Sequence, residues 1–294
     1  FNAINTVLSH GRYIMGPEIE IFEADLKKFC GANHAVTCAN GTDALILSLM
    51  AYDIKPNDIV VVPSFTFTST AESVCVIGAK PFFVDVERKT FNLDIQDLKD
   101  SLIFLKKEGS LPKAIIAVDL FGQPSRYSEL KNICDENEII LIIDAAQSFG
   151  AEYKKKKVGT FGHITTTSFF PAKPLGCYGD GGAIFTNDEY IAEKIKSLRV
   201  HGKGKDKYDN IRVGLNSRLD TIQAAILIEK LKIFPKEIEL RNKISKRYDN
   251  QLSDFFVTPQ VLDDCKSVWA QYTIIIEDIS RDLIQESLLK KNIP

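Results

Sequence analysis

"HAVTCANGTDALILSLMAYD", residues 34–53, sets a short β-branched run against a helical pattern with only "ANG" between them. The first five residues read as a strand, and "TDALILSLMAYD" reads as an apolar helix that begins at once. The same pairing recurs outward along the chain: "DIVVVPS" then "TSTAESVCVIG", "KPFFVDV" then "NLDIQDLKDSL", "KAIIAVDLF" then "SELKNICDEN", ending at "EIILIIDAA". Strands that are unbroken apolar runs, each followed by an amphipathic helix, predict an α/β fold with a mostly parallel sheet covered on both faces. After Asp220 the rhythm changes. "TIQAAILIEKLKIFPKEIELRNKISKRYDNQL" is one long helical pattern, followed by a strand in "QYTIIIE" and a helix in "RDLIQESLLKK". A large α/β domain is therefore expected over residues 1–229, with the start of a smaller C-terminal α+β domain over 230–294. Both ends read as trimmed, which makes the second domain truncated.

Composition narrows the function classes. With 37 Lys and Arg against 39 Asp and Glu the net charge is −2, so neither nucleic acid nor an anionic membrane is an expected partner. The lysine run at 154–157, in "AEYKKKKVG", lies between an apolar strand and a Val-Gly turn and reads as a solvated hairpin edge. Six cysteines without a CxxC pair point to a reducing cytoplasm. His10, His34, His163 and His201 show no HxxH spacing, so no metal is expected. No apolar stretch approaches a membrane span, and the first residues lack a signal-peptide pattern.

Ligands of parallel α/β sheets bind beyond the carboxyl ends of the strands. There the chain places "ANGTDAL", "PSFTFTST", "DAAQSFG" and "TTTSFFPAKP". Gly41 and Thr42 open a helix whose free N–H groups and dipole favour an anion such as phosphate; the plainer alternative is that Thr42 or Asp43 caps the helix. The missing G-x-G-x-x-G pattern argues against a dinucleotide. Asp144 ends "IILIID", where an unpaired carboxylate is costly. It either caps a helix or meets a cation, and the pyridinium nitrogen of pyridoxal phosphate is such a cation. In that case Gln147 can donate to the ring's 3′ oxygen, and Phe67 in "FTF" stacks on the ring or packs into the core. In "TSFFPAKPLGCYGDGG", residues 167–182, Lys173 stands between Pro171 and Pro174. Those prolines hold its backbone, either as a rigid surface turn or as a lysine kept for chemistry.

These motifs, joined by "GLNSRLDTIQAAI", run in order from "YIMGPEIEIFE" to "SVWAQYT". Together they resemble the DegT-type sugar-nucleotide aminotransferases, which use pyridoxal phosphate on the aspartate-aminotransferase fold. The resemblance implies that Lys173 bonds covalently to the cofactor and carries protons between two carbons. It implies that Asp144 faces the pyridine nitrogen, Gln147 meets the ring oxygen and Phe67 stacks on the ring. Gly41, Thr42 and Ser168 would hold the phosphate, joined by Asn216 from the neighbouring subunit, with Arg218 as a substrate contact. A cytoplasmic homodimer with shared active sites and L-glutamate as amine donor follows from the same likeness. Relatives that dehydrate sugars carry histidine at the position of Lys173, so transamination is the implied reaction. Many relatives also carry a histidine ahead of the "GLNSRLD" loop, whereas "DKYDNIRVGLNSRLD" has none. The wording is most similar to the branch that aminates UDP-2-acetamido-2-deoxy-3-oxo-glucuronate for bacterial surface polysaccharide (O-antigen, lipopolysaccharide). A 4-keto-6-deoxy sugar nucleotide is the alternative substrate. A non-catalytic cofactor-binding regulator is the alternative role, and an intact Lys173, Asp144 and Gln147 speak against it.

Overall fold

Two helices precede the alternation, α1 (Asn2–His10) and α2 (Pro17–Cys30). α2 begins at Pro17, where no backbone N–H is needed, and stops at Gly31, whose φ of 81° suits glycine. The alternation then runs β1 (His34–Cys38), α3 (Gly41–Ala51), β2 (Ile59–Pro63), α4 (Ser69–Val76), β3 (Lys80–Val84) and α5 (Ile95–Lys107). It continues through β4 (Ala114–Val118), α6 (Tyr127–Glu136) and β5 (Ile140–Asp144). The rest comprises β6 (Glu152–Tyr153), β7 (Lys156–Lys157), β8 (Ile164–Ser168), β9 (Gly182–Thr186), α7 (Glu189–Leu198), α8 (Thr221–Leu252), β10 (Cys265–Lys266) and α9 (Arg281–Lys290). The structure, a computed structural model, describes residues 1–206, 208–277 and 280–293; residue 207, ahead of the "GLNSRLD" loop, lies outside them.

The main sheet has the order β1-β9-β8-β5-β4-β2-β3. Neighbours from β8 to β3 are parallel, and β9 alone runs against both of its neighbours. The unbroken apolar strands are explained by burial on two faces. Ile115 and Ala117 of β4 join the core that holds Phe22, Phe149 and Phe234, while Ala114, Ile116 and Val118 join the core under α3 and α7. The carboxyl ends of β2, β4, β5 and β8 therefore open on one edge, beside the start of β9, where Ser168 pairs with Gly182.

The lysine run forms the expected hairpin, β6 with β7, turning through Lys154 and Lys155 at φ 48° and 63°. Residue 230 falls inside α8, whose Leu227, Leu231, Phe234 and Ile238 all pack into the core of the sheet. One expectation is corrected. The run 271–277, "QYTIIIE", makes only one bridge among the described residues, between Ile275 and Val257. A β-branched run becomes a ladder only beside another extended segment, and the residues after Phe256 that could supply it are mostly irregular.

The far side of the sheet is clamped by a buried charge. The Arg199 guanidinium, after α7, donates to Glu23 Oε1 (2.6 Å), Thr37 O (2.7 Å) and Thr37 Oγ1 (3.1 Å). Glu23 in turn accepts from the Thr37 N–H (2.9 Å), so α2, β1 and α7 share one network. Arg199→Met leaves Glu23 without its cation and is expected to cost about 3–5 kcal/mol. Urea titration should show a lower midpoint with an unchanged slope.

Candidate active site

A cavity of about 600 Å³ opens at the carboxyl edge of the sheet, at the N-terminus of α3. Its lining includes Gly41 and Thr42, the exposed Phe67, the buried Asp144 with Gln147, and Ser168 and Lys173 from the end of β8 onward. Gly41 and Lys173, 132 positions apart in the chain, thus line one cavity.

At the α3 end the cap is Asn40, not Thr42 or Asp43. Asn40 is extended (φ −164°, ψ 175°), as a cap must be, whereas its successors are already helical. Asn40 Oδ1 accepts from the Asp43 N–H (2.7 Å), and Asn40 O accepts from the Ala44 N–H (3.1 Å). The N–H groups of Gly41 and Thr42 are left without intrahelical acceptors. A Cβ on Gly41 would lie 2.7 Å from Ser168 Cβ, so glycine is what lets the helix start approach the end of β8. Ser168 Oγ accepts from the Phe170 N–H (3.2 Å), which frees its own O–H to donate into the cavity. Two N–H groups, a hydroxyl and the positive end of a helix dipole suit a phosphate.

Asp144 is 7% exposed, and among the described residues its carboxylate accepts only the Ala146 N–H (3.0 Å). Burial pushes its carboxyl above the usual range, opposed by that hydrogen bond and by the charge of Lys173. No helix follows, so Asp144 is not a helix cap. A buried carboxylate with so little compensation fits a cationic ring nitrogen. Lys173 is half-buried, and burial lowers its amine below the ordinary lysine value while Asp144 pulls it back. Its loop is closed on itself: the Lys173 N–H donates to Phe170 O (2.8 Å) and the Cys177 N–H to Phe169 O (2.7 Å). A Cβ on Gly176 would meet Pro171 O at 2.4 Å, so this fold-back tolerates only glycine.

Gln147 Oε1 accepts from the Phe121 N–H (2.6 Å), which turns its amide N–H2 toward the cavity. Phe67 is 68% exposed at the cavity mouth rather than packed in the core. Asn216 and Arg218 do not line the cavity. Among the described residues neither side chain has a hydrogen bond or ion pair, while Ser217 between them is buried and accepts from the Ala39 N–H (3.2 Å). Sequence reasoning missed Asn40 and Asp119. Asp119 ends the run "AIIAVD" as Asp144 ends "IILIID", and that repeated signal was available. Among the described residues no cluster of His, Cys, Asp or Glu could hold a metal.

The family described as DegT/DnrJ/EryC1/StrS aminotransferases matches residues 1–294. A UDP-2-acetamido-2-deoxy-3-oxo-D-glucuronate aminotransferase of Pseudomonas aeruginosa is 46% identical over 292 residues, 99% of this chain and 79% of that protein. The crystal structure of a DegT DnrJ EryC1 StrS aminotransferase from Brucella abortus has a TM-score of 0.97 at 48% identity, covering 100% of this chain and 78% of that one. The E. coli GDP-4-keto-6-deoxy-D-mannose-3-dehydratase, solved with bound hydrated PLP, has a TM-score of 0.90 at 28% identity over 100% of this chain and 80% of that one.

Proposed function

The chain belongs to the DegT/DnrJ/EryC1/StrS aminotransferase family, and from that premise we propose that it aminates a keto-sugar nucleotide with pyridoxal phosphate as cofactor. The acceptor in this reading is UDP-2-acetamido-2-deoxy-3-oxo-glucuronate and the donor L-glutamate, in the cytoplasmic synthesis of a surface polysaccharide such as O-antigen. The observation that carries it is one cavity lined together by a buried, under-compensated Asp144, a half-buried Lys173 and the open N-terminus of α3. The Pseudomonas relative supports the choice of sugar. We propose residues 1–229 as the cofactor domain and 230–294 as the start of a smaller α+β unit, with α8 running through the boundary so that its Leu231, Phe234 and Ile238 still pack into the core of the sheet.

Pyridoxal phosphate supplies an electron sink that lets a proton leave one carbon and reach another. The chain supplies the rest. Gly41, Thr42 and Ser168 would donate to the phosphate, Asp144 would keep a negative charge at the ring nitrogen, Gln147 would donate to the ring oxygen and Phe67 would pack against the ring. Lys173 Nζ takes and returns the proton. An amine whose proton is loosened by burial spends more time neutral near working pH, as a base must.

A panel of UDP- and dTDP-linked keto-sugars tests the acceptor. The UDP-3-oxo-glucuronate sugar is expected to raise the melting temperature most, and L-glutamate alone to bleach the visible band and release 2-oxoglutarate. A larger shift with a dTDP-linked 4-keto-6-deoxy sugar, or no response to glutamate, overturns those assignments.

Asn216 and Arg218 stand outside the cavity of their own chain, which supports a homodimer in which each completes the partner's site. Lys173→Ala protein and Asn216→Ala/Arg218→Ala protein, each inactive, are then expected to complement on co-expression. In a mixed dimer one site collects both lesions and the other none. With half of all dimers mixed, activity should recover to about one quarter of wild type. No recovery in a sample shown to contain mixed dimers defeats the shared site.

A further inference from the structure

Asp119, just past β4, is 0% exposed and does not line the cavity, yet the turn it opens touches three cavity walls. Its N–H donates to Asp144 O (3.0 Å). One carboxylate oxygen accepts from the Ser125 N–H (2.8 Å); the other accepts from the Ser148 hydroxyl (2.6 Å) and from the Tyr127 hydroxyl. Further along the turn, Phe121 has φ 60°, a left-handed conformation that strains a phenylalanine and persists only where its surroundings impose it. It is the Phe121 N–H that reaches Gln147 Oε1. On the third wall, Phe121 O accepts from the Gln271 N–H (3.3 Å) and Gly122 O from the Val268 N–H (3.0 Å). A Cβ at Gly122 would stand 2.8 Å from the backbone nitrogens of Trp269 and Ala270, so the two segments pack backbone to backbone.

We propose, resting on the reading that this cavity binds pyridoxal phosphate, that Asp119 is a positioning residue of the site. Its buried carboxylate ties Ser148 to the turn 119–122, and the Phe121 N–H held in that turn decides which end of the Gln147 amide faces the cofactor. A backbone N–H can only donate, so it selects the amide oxygen and leaves the amide N–H2 for the ring oxygen. Without that constraint the amide can rotate by half a turn and offer an acceptor to an acceptor. A carboxylate is the side chain that suits the position, because three donors converge on its two oxygens. An asparagine would set its own N–H2 against at least one of them. Burial pushes the Asp119 carboxyl up to about 6, opposed by those hydrogen bonds from Ser148, Tyr127 and Ser125. So costly a group, kept out of the cavity but bonded to the segment that carries Gln147, is accounted for by its hold on that segment.

The test is a double-mutant cycle read from the absorbance of protein loaded with pyridoxal phosphate. Gln147→Ala removes a donor from the ring oxygen, whose negative charge is then less stabilised. The pH midpoint of the visible band is expected to rise by about one unit. Asp119→Asn is expected to raise it in the same direction, and the double variant no further than Gln147→Ala alone, because both act through one hydrogen bond. Ser148→Ala removes a single hydroxyl and keeps the carboxylate; it should give a smaller shift that is likewise absorbed by Gln147→Ala, and it serves if Asp119→Asn does not fold. Additive shifts overturn the proposal, as does an unmoved midpoint in the folded variants. A wild-type protein that takes up no pyridoxal phosphate is a different outcome, which removes the underlying cofactor reading and this proposal with it.

Discussion

Lys173→Ala protein is expected to bind pyridoxal phosphate yet to turn over about 10³-fold or more slowly than wild type, since covalent holding and proton transfer are lost together. In the proposed reading the phosphate and ring contacts come from other residues, so dialysis should still find cofactor on the variant. Among the described residues Lys173 is the only lysine that lines the cavity, so no described neighbour stands ready to replace it. The wild-type protein is expected to show a visible band that borohydride abolishes irreversibly, with the reduced label mapping to Lys173. Lys173→Arg should not restore activity, because a guanidinium does not give up its proton at any working pH. If Lys173→Ala kept more than a tenth of wild-type turnover, another group would have to be moving the proton.

Asp144→Ala is expected to lower kcat/KM by about 10²–10³-fold, the cost of removing one preorganised charge from a buried position. The same residue gives a pH signature in the cofactor-free protein. Because burial raises its carboxyl above the unfolded value, its contribution to stability is largest below the ordinary carboxylate range. That contribution is lost as pH rises through the raised native value. Asp144→Asn keeps an oxygen for the Ala146 N–H but carries no charge. It is expected to melt at or above the wild-type temperature at neutral pH and to flatten the pH dependence on the acidic side, while losing activity. Melting curves across pH without cofactor, set beside kcat/KM with it, separate the two effects. A variant less stable than wild type at neutral pH, with activity retained, contradicts both halves.

Much of this molecule was legible in one dimension. Apolar runs of strand length followed by helical periodicity are local signals, and they placed β1 and α3 through β5 and the hairpin at Lys154 and Lys155 where the chain folds them. The strand ends pointed to Gly41, Asp144, Gln147 and Lys173, with Ser168 added by the family resemblance, because a parallel sheet gathers its carboxyl ends on one edge whatever the intervening sequence. What periodicity does not carry is the identity of a partner distant in the chain. "QYTIIIE" has the composition of a strand but, among the described residues, meets one bridging residue, Val257, and makes no ladder. Asn40 rather than Thr42 caps α3, because where the chain leaves the extended region decides the cap, and several polar neighbours qualify by type. Arg199 finds Glu23 across 176 positions, and Phe121 finds Gln147 across 26. Such contacts depend on distance in space, which the chain sets only once its layers have packed. Residue type and period therefore determined which groups stand at the edge of the sheet, and tertiary packing alone decided which way they face.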